Sequence, residues 1–226
     1  MKNITIAIDG YAGCGKSTTA QRVANDLDYI YIDTGAMYRS VSLYFLRHEI
    51  AFDYEHPGMI AALKDIHIAF IRNEAGDLQT EMNGEVVEKD IRSPEVSAIV
   101  SPVSVHASVR ESMVAQQRRM GASKGVLLEG RDIGTVVFPD AELKVFMKAE
   151  MEVRAKRRLA EMQARGIDIS LAEVIENLRE RDRIDTTRAI APLRQAADAM
   201  VLDTTHLTID DQVRIVCKWA RERMEL

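Results

Sequence analysis

Short apolar runs alternate with longer amphipathic stretches over the first fifty residues of the chain. Residues 3–8 and 29–32 are rich in β-branched side chains, and the stretches 16–27 and 37–48 repeat apolar positions every three to four residues. The short runs predict buried strands, and the longer stretches predict helices. Strands that alternate with helices indicate an α/β fold with a parallel sheet.

Three later apolar runs, at 126–128, 143–147 and 200–202, predict further strands with helices between them. The expected fold is therefore a five-stranded parallel sheet with helices on both faces. Because no linker or repeat interrupts the pattern, we expect one domain that spans residues 1–226.

Two segments depart from this alternation. Residues 64–93 contain three short runs, and the pair Asn83-Gly84 between the last two is a strong hairpin signal. We expect a small antiparallel β insertion there. Residues 150–188 have a helical pattern and many arginines, and we expect them to form a helical, Arg-rich lid.

The charge of the chain argues for a small anionic ligand. With 30 basic and 35 acidic residues the net charge is −5, which speaks against an extended nucleic-acid surface. Residues 151–194 nevertheless have a net charge of +2, against −7 for the remainder. A locally basic region in an acidic protein suits a small anion better than a polymer.

The remaining composition predicts a cytoplasmic protein. Cys14 and Cys217 are too few for a disulfide framework or a zinc site. The first apolar run is too short for a signal sequence, and no stretch reaches the ~18–20 apolar residues that a membrane span needs. We expect neither a membrane nor a nucleic acid as partner.

The segment GYAGCGKS, which follows the first predicted strand and opens a helix, matches the G-x-x-x-x-G-K-S/T pattern of a phosphate-binding loop. Glycines let successive backbone N–H groups point at phosphate oxygens, and the helix adds its positive end. Lys16 is placed to reach the β- and γ-phosphates, and the Ser17 hydroxyl is placed to hold Mg²⁺. The predicted ATP-binding residues are Gly10, Tyr11, Ala12, Gly13, Cys14, Gly15, Lys16, Ser17 and Thr18.

A phosphate loop does not by itself define a reaction. The chain lacks an N-K-x-D guanine-reading motif and is too short for a motor, which favours a kinase of small molecules. Two alternatives stay open: a kinase that acts on another monophosphate or on a hydroxyl group, and a nucleotide-dependent switch or binding module.

Three further clusters lie where an acceptor is expected, at the carboxyl ends of predicted strands and in the Arg-rich segment. They are the segment 33–39, the segment 129–135, and the group Arg179, Arg181, Asp185 and Arg188. Arginine forks suit phosphate oxygens and stay charged throughout phosphoryl transfer. Two other interpretations stay open, a solvated helix face with an Arg181–Asp185 pair and a structural Arg131–Asp132 ion pair.

Along nearly its whole length the chain resembles the bacterial cytidylate kinases. The resemblance rests on IDGYAGCGKST, DTGAMYR, VRESM at 109–113, EGRDIGTVVFPDA and RERDRIDTTRAIAPL, of which EGRDIGTVVFPDA is specific to that family. It implies a P-loop NTPase fold and the reaction of ATP with CMP or dCMP, which gives ADP and CDP or dCDP. It also implies Mg²⁺ with the ATP, and we expect a monomer.

The resemblance also implies roles for individual residues. Arg39, Arg131 and Arg188 would bind the acceptor phosphate, and Arg181 and Asp185 the ribose. Ser101, Arg110 and Asp132 would read the cytosine, and Thr34 matches a hydroxyl residue of the acceptor site. Lys16, Arg131 and Arg188 are the expected catalytic residues, and closure of the segment 150–188 would exclude water from the reaction.

Overall fold

A computed structural model of the chain describes residues 2–164 and 166–225. This described part divides into two compact units, one within Met1–Ile32 and Ser123–Leu226 and the other formed by Asp33–Ala122. The organisation as a single domain stays a prediction. Among the described residues, no helix has both the length and the apolar character needed to cross a membrane.

The described residues form eight strands and eight helices, with a 3₁₀ turn at Asp90–Arg92 and a π-helical turn at Ile133–Val137. The strands are β1 (Thr5–Gly10), β2 (Ile30–Asp33), β3 (Ile68–Arg72), β4 (Leu78–Met82), β5 (Glu85–Val86), β6 (Val126–Gly130), β7 (Leu143–Lys148) and β8 (Met200–Asp203). The helices are α1 (Lys16–Leu27), α2 (Thr34–Arg47), α3 (Pro57–Lys64), α4 (Pro94–Val103), α5 (Ala107–Met120), α6 (Met151–Gln163), α7 (Leu171–Thr187) and α8 (Ile209–Met224).

The larger sheet has the strand order β2-β6-β1-β7-β8, which confirms the predicted five-stranded parallel sheet. Its central strand β1 is buried along its full length. β1 extends two residues beyond the apolar run, because Asp9 pairs with Gly130 of β6 and Gly10 with Met147 of β7. Apolar patterning alone does not reveal this extension, since neither residue is apolar.

The helices α6 and α7 confirm the predicted helical character of the segment 150–188, of which residue 165 lies outside the described part. Their facing sides bury Ala155 against Val174 and Leu178, and Ala12 of the phosphate loop belongs to the same cluster. A capping box at Ser170 and Glu173 fixes the start of α7. Both helices are therefore packed against Ala12 of the loop that precedes α1.

The unit Asp33–Ala122 carries the predicted β insertion as an antiparallel sheet with the order β3-β4-β5. Asn83 and Gly84 form the turn between β4 and β5 with φ angles of 53° and 85°. These are the positive values that a tight hairpin turn requires and that Asn and Gly tolerate best. The hairpin signal in the sequence is thus confirmed.

We predict that Gly10→Ala lowers the free energy of unfolding by on the order of 3 kcal/mol or more. A Cβ at this position would lie 2.0 Å from the carbonyl oxygen of Met147, which is backbone and cannot move aside within the sheet. Gly76→Ala is the matched control, because Gly76 also has a positive φ but nothing lies within 4 Å of its added Cβ. That control should lose only about 1–2 kcal/mol. Urea unfolding of both variants measures the difference, and equal losses would contradict the steric argument.

Candidate active site

The loop between β1 and α1 has the backbone expected of a phosphate-binding loop. Gly13 and Gly15 have φ angles of 77° and 91°, which side chains rarely adopt. A Cβ at Gly13 would also lie 3.1 Å from the carbonyl oxygen of Arg154 at the start of α6. Glycine is therefore favoured at position 13 both by the positive φ of the loop and by the close approach of α6.

Lys16, the predicted phosphate ligand, lies buried at the start of α1. Its Nζ donates a hydrogen bond to the carbonyl oxygen of Tyr11 at 2.7 Å and lies 3.8 Å from Sγ of Cys14. Burial lowers the pKa of Lys16, and the positive charge of Arg131 lowers it further. The cation is thus held at the loop in an environment that favours additional negative charge.

Arg131 follows β6 directly and is held by a carboxylate from α7. Its Nε donates to Oδ2 of Asp185 at 2.7 Å. Burial opposes the charge of Arg131, but Asp185 outweighs this effect and raises the pKa of the guanidinium. Arg131 is therefore paired with a residue 54 positions away along the chain rather than with its neighbour Asp132.

Arg188, at the end of α7, lies beside the same two acidic residues. Its Nη2 is 3.4 Å from Oδ1 of Asp132, and its Nη1 is 3.9 Å from Oδ1 of Asp185. Its Nε donates to the carbonyl oxygen of Ala191 at 2.8 Å. Burial raises the pKa of Asp185, yet Arg131, Arg188 and Arg181 together bring that pKa below its ordinary value.

Arg181 is the fourth cation of this group. Burial lowers the pKa of Arg181 to about 10, and Arg131 contributes to the shift. Its buried Nε has no hydrogen-bond partner among the described residues. By contrast Arg179, two residues earlier on α7, is exposed and lies 3.8 Å from Glu176. The interpretation as a solvated face is thus correct for Arg179, while Arg181 and Arg188 face inward.

The unit Asp33–Ala122 holds the predicted substrate residues Thr34, Arg39, Ser101 and Arg110. Thr34 is buried as the first residue of α2, which Asp33 caps by accepting from the N–H of Ala36 at 2.9 Å. On the same helix, Nη1 of Arg39 donates to Oγ of Ser97 at 2.9 Å.

Arg110 on α5 is buried, with its guanidinium carbon 5.5 Å from the centre of the Tyr38 ring. Its Nη1 donates to the carbonyl oxygen of Ser104 at 3.3 Å. Ser101, on α4, is partly buried, and its carbonyl oxygen accepts from the Ser104 hydroxyl at 2.9 Å. Ser104 thus contacts two of the three residues that the resemblance assigns to the cytosine, Ser101 and Arg110.

Comparison with known proteins decides the family. The Cytidylate kinase family model matches residues 6–222. A cytidylate kinase of Parabacteroides distasonis is 52% identical over 216 residues, which cover 94% of each chain. One of Bacteroides fragilis is 51% identical over 215 residues, again 94% of each chain. The chain belongs to the cytidylate kinase family. The family predicted from the motifs is therefore confirmed.

Solved structures support the fold of this cytidylate kinase family member. The shikimate kinase of Bacteroides thetaiotaomicron aligns with it at a TM-score of 0.51 and 14% identity, over 100% of both chains. At that identity the likeness concerns the fold alone, which is that of P-loop kinases.

Three charged residues that organise this cytidylate kinase fold were not predicted from the sequence. Asp9 accepts hydrogen bonds from the N–H groups of Ile133 and Gly134, both at 2.8 Å, and so holds the turn that follows Arg131 and Asp132. The available signal was a carboxylate inside an otherwise apolar strand run, because a buried carboxylate needs donors.

The other two missed residues are arginines. Arg92 donates to Glu88 at 2.7 Å and lies 3.4 Å from Asp33, so it supports the residue that caps α2. Arg154 is buried against the phosphate loop. Apart from the pair that Arg92 makes with Glu88 four positions away, these contacts have no local signal, since Asp33 lies 59 positions from Arg92 and Ala12 lies 142 positions from Arg154.

We predict a pH-dependent difference in stability between the wild type and Asp9→Asn. Burial raises the pKa of Asp9 from 3.8 to about 6, against the effect of its two backbone donors. The folded protein therefore binds this proton more tightly, and the contribution of Asp9 to the free energy of unfolding falls as the pH rises from about 4 to about 6. The expected change is on the order of 3 kcal/mol.

Urea unfolding at several pH values measures this difference. Asp203→Asn is the control, because the Thr205 hydroxyl is the main cause that brings the pKa of Asp203 below 3.8. Its contribution is nearly complete above pH 4, so its difference from wild type should change by only about 0.3 kcal/mol between pH 4 and 6. A constant difference for Asp9→Asn would contradict the raised pKa.

Proposed function

We propose that this chain transfers the γ-phosphoryl group of ATP to CMP or dCMP, giving ADP and CDP or dCDP. The observation that carries the proposal is the family match, which spans nearly the whole chain. The geometry of the larger unit supports it, because a phosphate loop lies close to several inward-facing arginines. Such an arrangement suits a reaction in which negative charge moves from one phosphate group to another.

ATP is assigned to the loop that ends in Lys16. Replacement of the Tyr11 carbonyl by a phosphate oxygen would keep the Lys16 ammonium hydrogen-bonded and give it an anionic partner. Ser17 and Thr18 follow at the exposed start of α1, whose N-terminal end favours anions.

The residues present fit Mg²⁺ bound mainly by substrate oxygens. No cluster of three His, Cys, Asp or Glu side chains able to hold a metal occurs among the described residues. Mg²⁺ in kinases typically takes one or two protein ligands together with phosphates and water. We assign the Ser17 hydroxyl to this role, and the ion, when bound, would neutralise charge on the β- and γ-phosphates.

The acceptor phosphate is assigned to Arg131 and Arg188 and, from the resemblance alone, to Arg39. Thr34 is assigned to substrate binding without a finer role. Arg131 and Arg188 are already oriented by Asp185 and Asp132, so little side-chain freedom would be lost when a phosphate binds. The ribose is assigned to Arg181 and Asp185.

The cytosine is assigned to Ser101, Arg110 and Asp132. A cytosine edge presents an amino donor beside ring acceptors, so it is complemented by a carboxylate and by a cationic or hydroxyl donor. Arg110 supports this role because the Tyr38 ring and the Ser104 carbonyl fix its guanidinium.

The reaction needs no general base. One oxygen of the acceptor phosphate, already ionised, forms a bond to the γ-phosphorus while the bond to the β–γ bridging oxygen breaks, and ADP leaves with that electron pair. Lys16 would stabilise the charge on the leaving oxygen, and Arg131 and Arg188 the charge on the transferring group. Closure of α6 and α7 would exclude water, which would otherwise compete as the acceptor.

Three further predictions concern the oligomeric state, the location and the partners of the protein. We expect a monomer, a cytoplasmic location and no nucleic-acid partner. Analytical ultracentrifugation tests the first, and localisation of the tagged protein in cells tests the second. The third is tested by titration with RNA and DNA at moderate salt.

A coupled assay of ADP formation tests the function. Wild type should turn over rapidly with CMP and dCMP, slowly or not at all with AMP and GMP, and not without an acceptor. Lys16→Ala should lose ~10²–10³ in kcat, because it removes a preorganised electrostatic contact. Rapid turnover with another acceptor would favour a different small-molecule kinase. Slow hydrolysis that is independent of any acceptor would favour a nucleotide-dependent switch.

We predict that Arg188→Ala lowers kcat/KM for CMP by ~10²-fold or more, while the KM for ATP changes little. Arg188→Lys should recover only part of this loss, because a point charge does not replace a fork. The control is Arg183→Ala, which removes an exposed partner of Glu180 on the same helix and should be almost silent.

Because Arg188 is buried beside two carboxylates, Arg188→Ala should also be less stable, so its kinetics are measured well below its unfolding temperature. Unchanged kcat/KM for CMP would remove Arg188 from the acceptor site.

A further inference from the structure

Arg154 is a buried cation on α6 that the assigned reaction does not use. Its Nη1 donates to the carbonyl oxygen of Ala12 at 3.1 Å and to Oδ2 of Asp182 at 2.8 Å. Its Nε donates to the carbonyl oxygen of Ala149 at 3.1 Å. The guanidinium carbon also lies 5.2 Å from the centre of the Tyr11 ring. One side chain therefore joins the phosphate loop to both helices α6 and α7.

A second contact from α6 reaches the same loop through Thr204. The Thr204 hydroxyl donates to the carbonyl oxygen of Cys14 at 2.9 Å. Arg157, one helical turn after Arg154, holds Thr204 by donating to its carbonyl oxygen at 2.7 Å and to its hydroxyl oxygen at 3.1 Å. Two arginines of α6 thus fix the carbonyls of two alternate loop residues, one directly and one through a threonine.

These contacts determine which way the carbonyl and N–H groups of the loop backbone point. A phosphate-binding loop works by turning its N–H groups toward the ligand, which requires its carbonyl groups to point elsewhere. A carbonyl that lost its donor would be free to rotate toward the phosphates and repel them. Donors at the carbonyls of Ala12 and Cys14 prevent that rotation before ATP arrives.

We propose that Arg154 and Thr204, the latter held by Arg157, are positioning residues that brace the phosphate loop from α6 and so set its affinity for a triphosphate. The inference rests on the proposed binding of ATP to this loop. It differs from a direct contact between Arg154 and ATP, because the guanidinium acts through the backbone of Ala12 and the ring of Tyr11.

Titration calorimetry with ATP and with inorganic tripolyphosphate tests the brace. Arg154→Met should raise the Kd for both ligands by about tenfold or more, because a charge-assisted hydrogen bond to the loop is lost. Thr204→Val, which removes a hydroxyl and no charge, should raise both Kd values severalfold. The Kd for CMP should stay within about twofold of wild type in each variant.

Lys156→Met is the matched control, because Lys156 lies between the two arginines on α6 but is exposed and faces Glu152 at 3.8 Å. Its Kd values should equal those of wild type. If Arg154→Met does not fold, as judged by circular dichroism, Arg154→Lys and Thr204→Val carry the test.

Three results would overturn the inference. Loss of ATP affinity without loss of tripolyphosphate affinity would assign Arg154 to the nucleoside. Normal affinity in Thr204→Val together with a loss in Arg154→Met would show that only the positive charge of Arg154 matters for binding, and not the hydrogen bonds to the loop carbonyls. Normal affinity in all variants would show that the loop needs no brace. Failure of the proposed function would appear separately, as a wild type that binds tripolyphosphate but does not phosphorylate CMP.

Discussion

The larger unit holds four cations close together: Lys16, Arg131, Arg181 and Arg188. Their mutual repulsion has to be offset by the acidic residues around them. Burial is the largest cause that lowers the pKa of Lys16 and of Arg181, and the positive charge of Arg131 is the second largest. Asp185 and Asp132 offset part of this repulsion by pairing with Arg131 and Arg188. Phosphates bound beside these cations would reduce the remaining repulsion, so the cluster favours anions.

The order of the strands in the sheet brings these charged residues together, although they lie far apart in the sequence. β6 and β7 both pair with β1 in parallel, so the loops that follow the three strands leave from the same edge. The phosphate loop follows β1, Arg131 and Asp132 follow β6, and α6 begins shortly after β7. Asp9 then ties the end of β1 to the turn after β6 through two backbone N–H groups. Position at the edge is therefore set by backbone pairing, and orientation by a few buried polar contacts.

The sequence predicted those features that depend on local physics. Apolar runs located the five strands of the parallel sheet, and the Asn83-Gly84 turn followed from backbone preferences. Long-range partners carry no such signal. Arg131 had a neighbouring carboxylate in Asp132, which was considered as its partner, yet it pairs with Asp185 because α7 brings that side chain to the end of β6. Arg154 was missed for the same reason, since Ala12 becomes its neighbour only after the chain has folded. Asp9 did carry a signal, as a carboxylate in an apolar run, but its donors lie 124 and 125 positions away.

The contact between Lys16 and the Tyr11 carbonyl shows how the loop keeps a buried cation before its ligand arrives. An unpartnered buried ammonium would be costly, so the loop supplies its own acceptor at 2.7 Å. The same carbonyl also accepts from the Cys14 thiol at 3.0 Å, so it keeps a donor when Lys16 turns to a phosphate. When ATP binds, Lys16 would exchange its hydrogen bond to the Tyr11 carbonyl for a stronger one to a phosphate. The Tyr11 carbonyl would still accept a hydrogen bond from the Cys14 thiol. The loop can hold its binding conformation in advance because three of its carbonyls, at Tyr11, Ala12 and Cys14, each have a donor that does not depend on ATP.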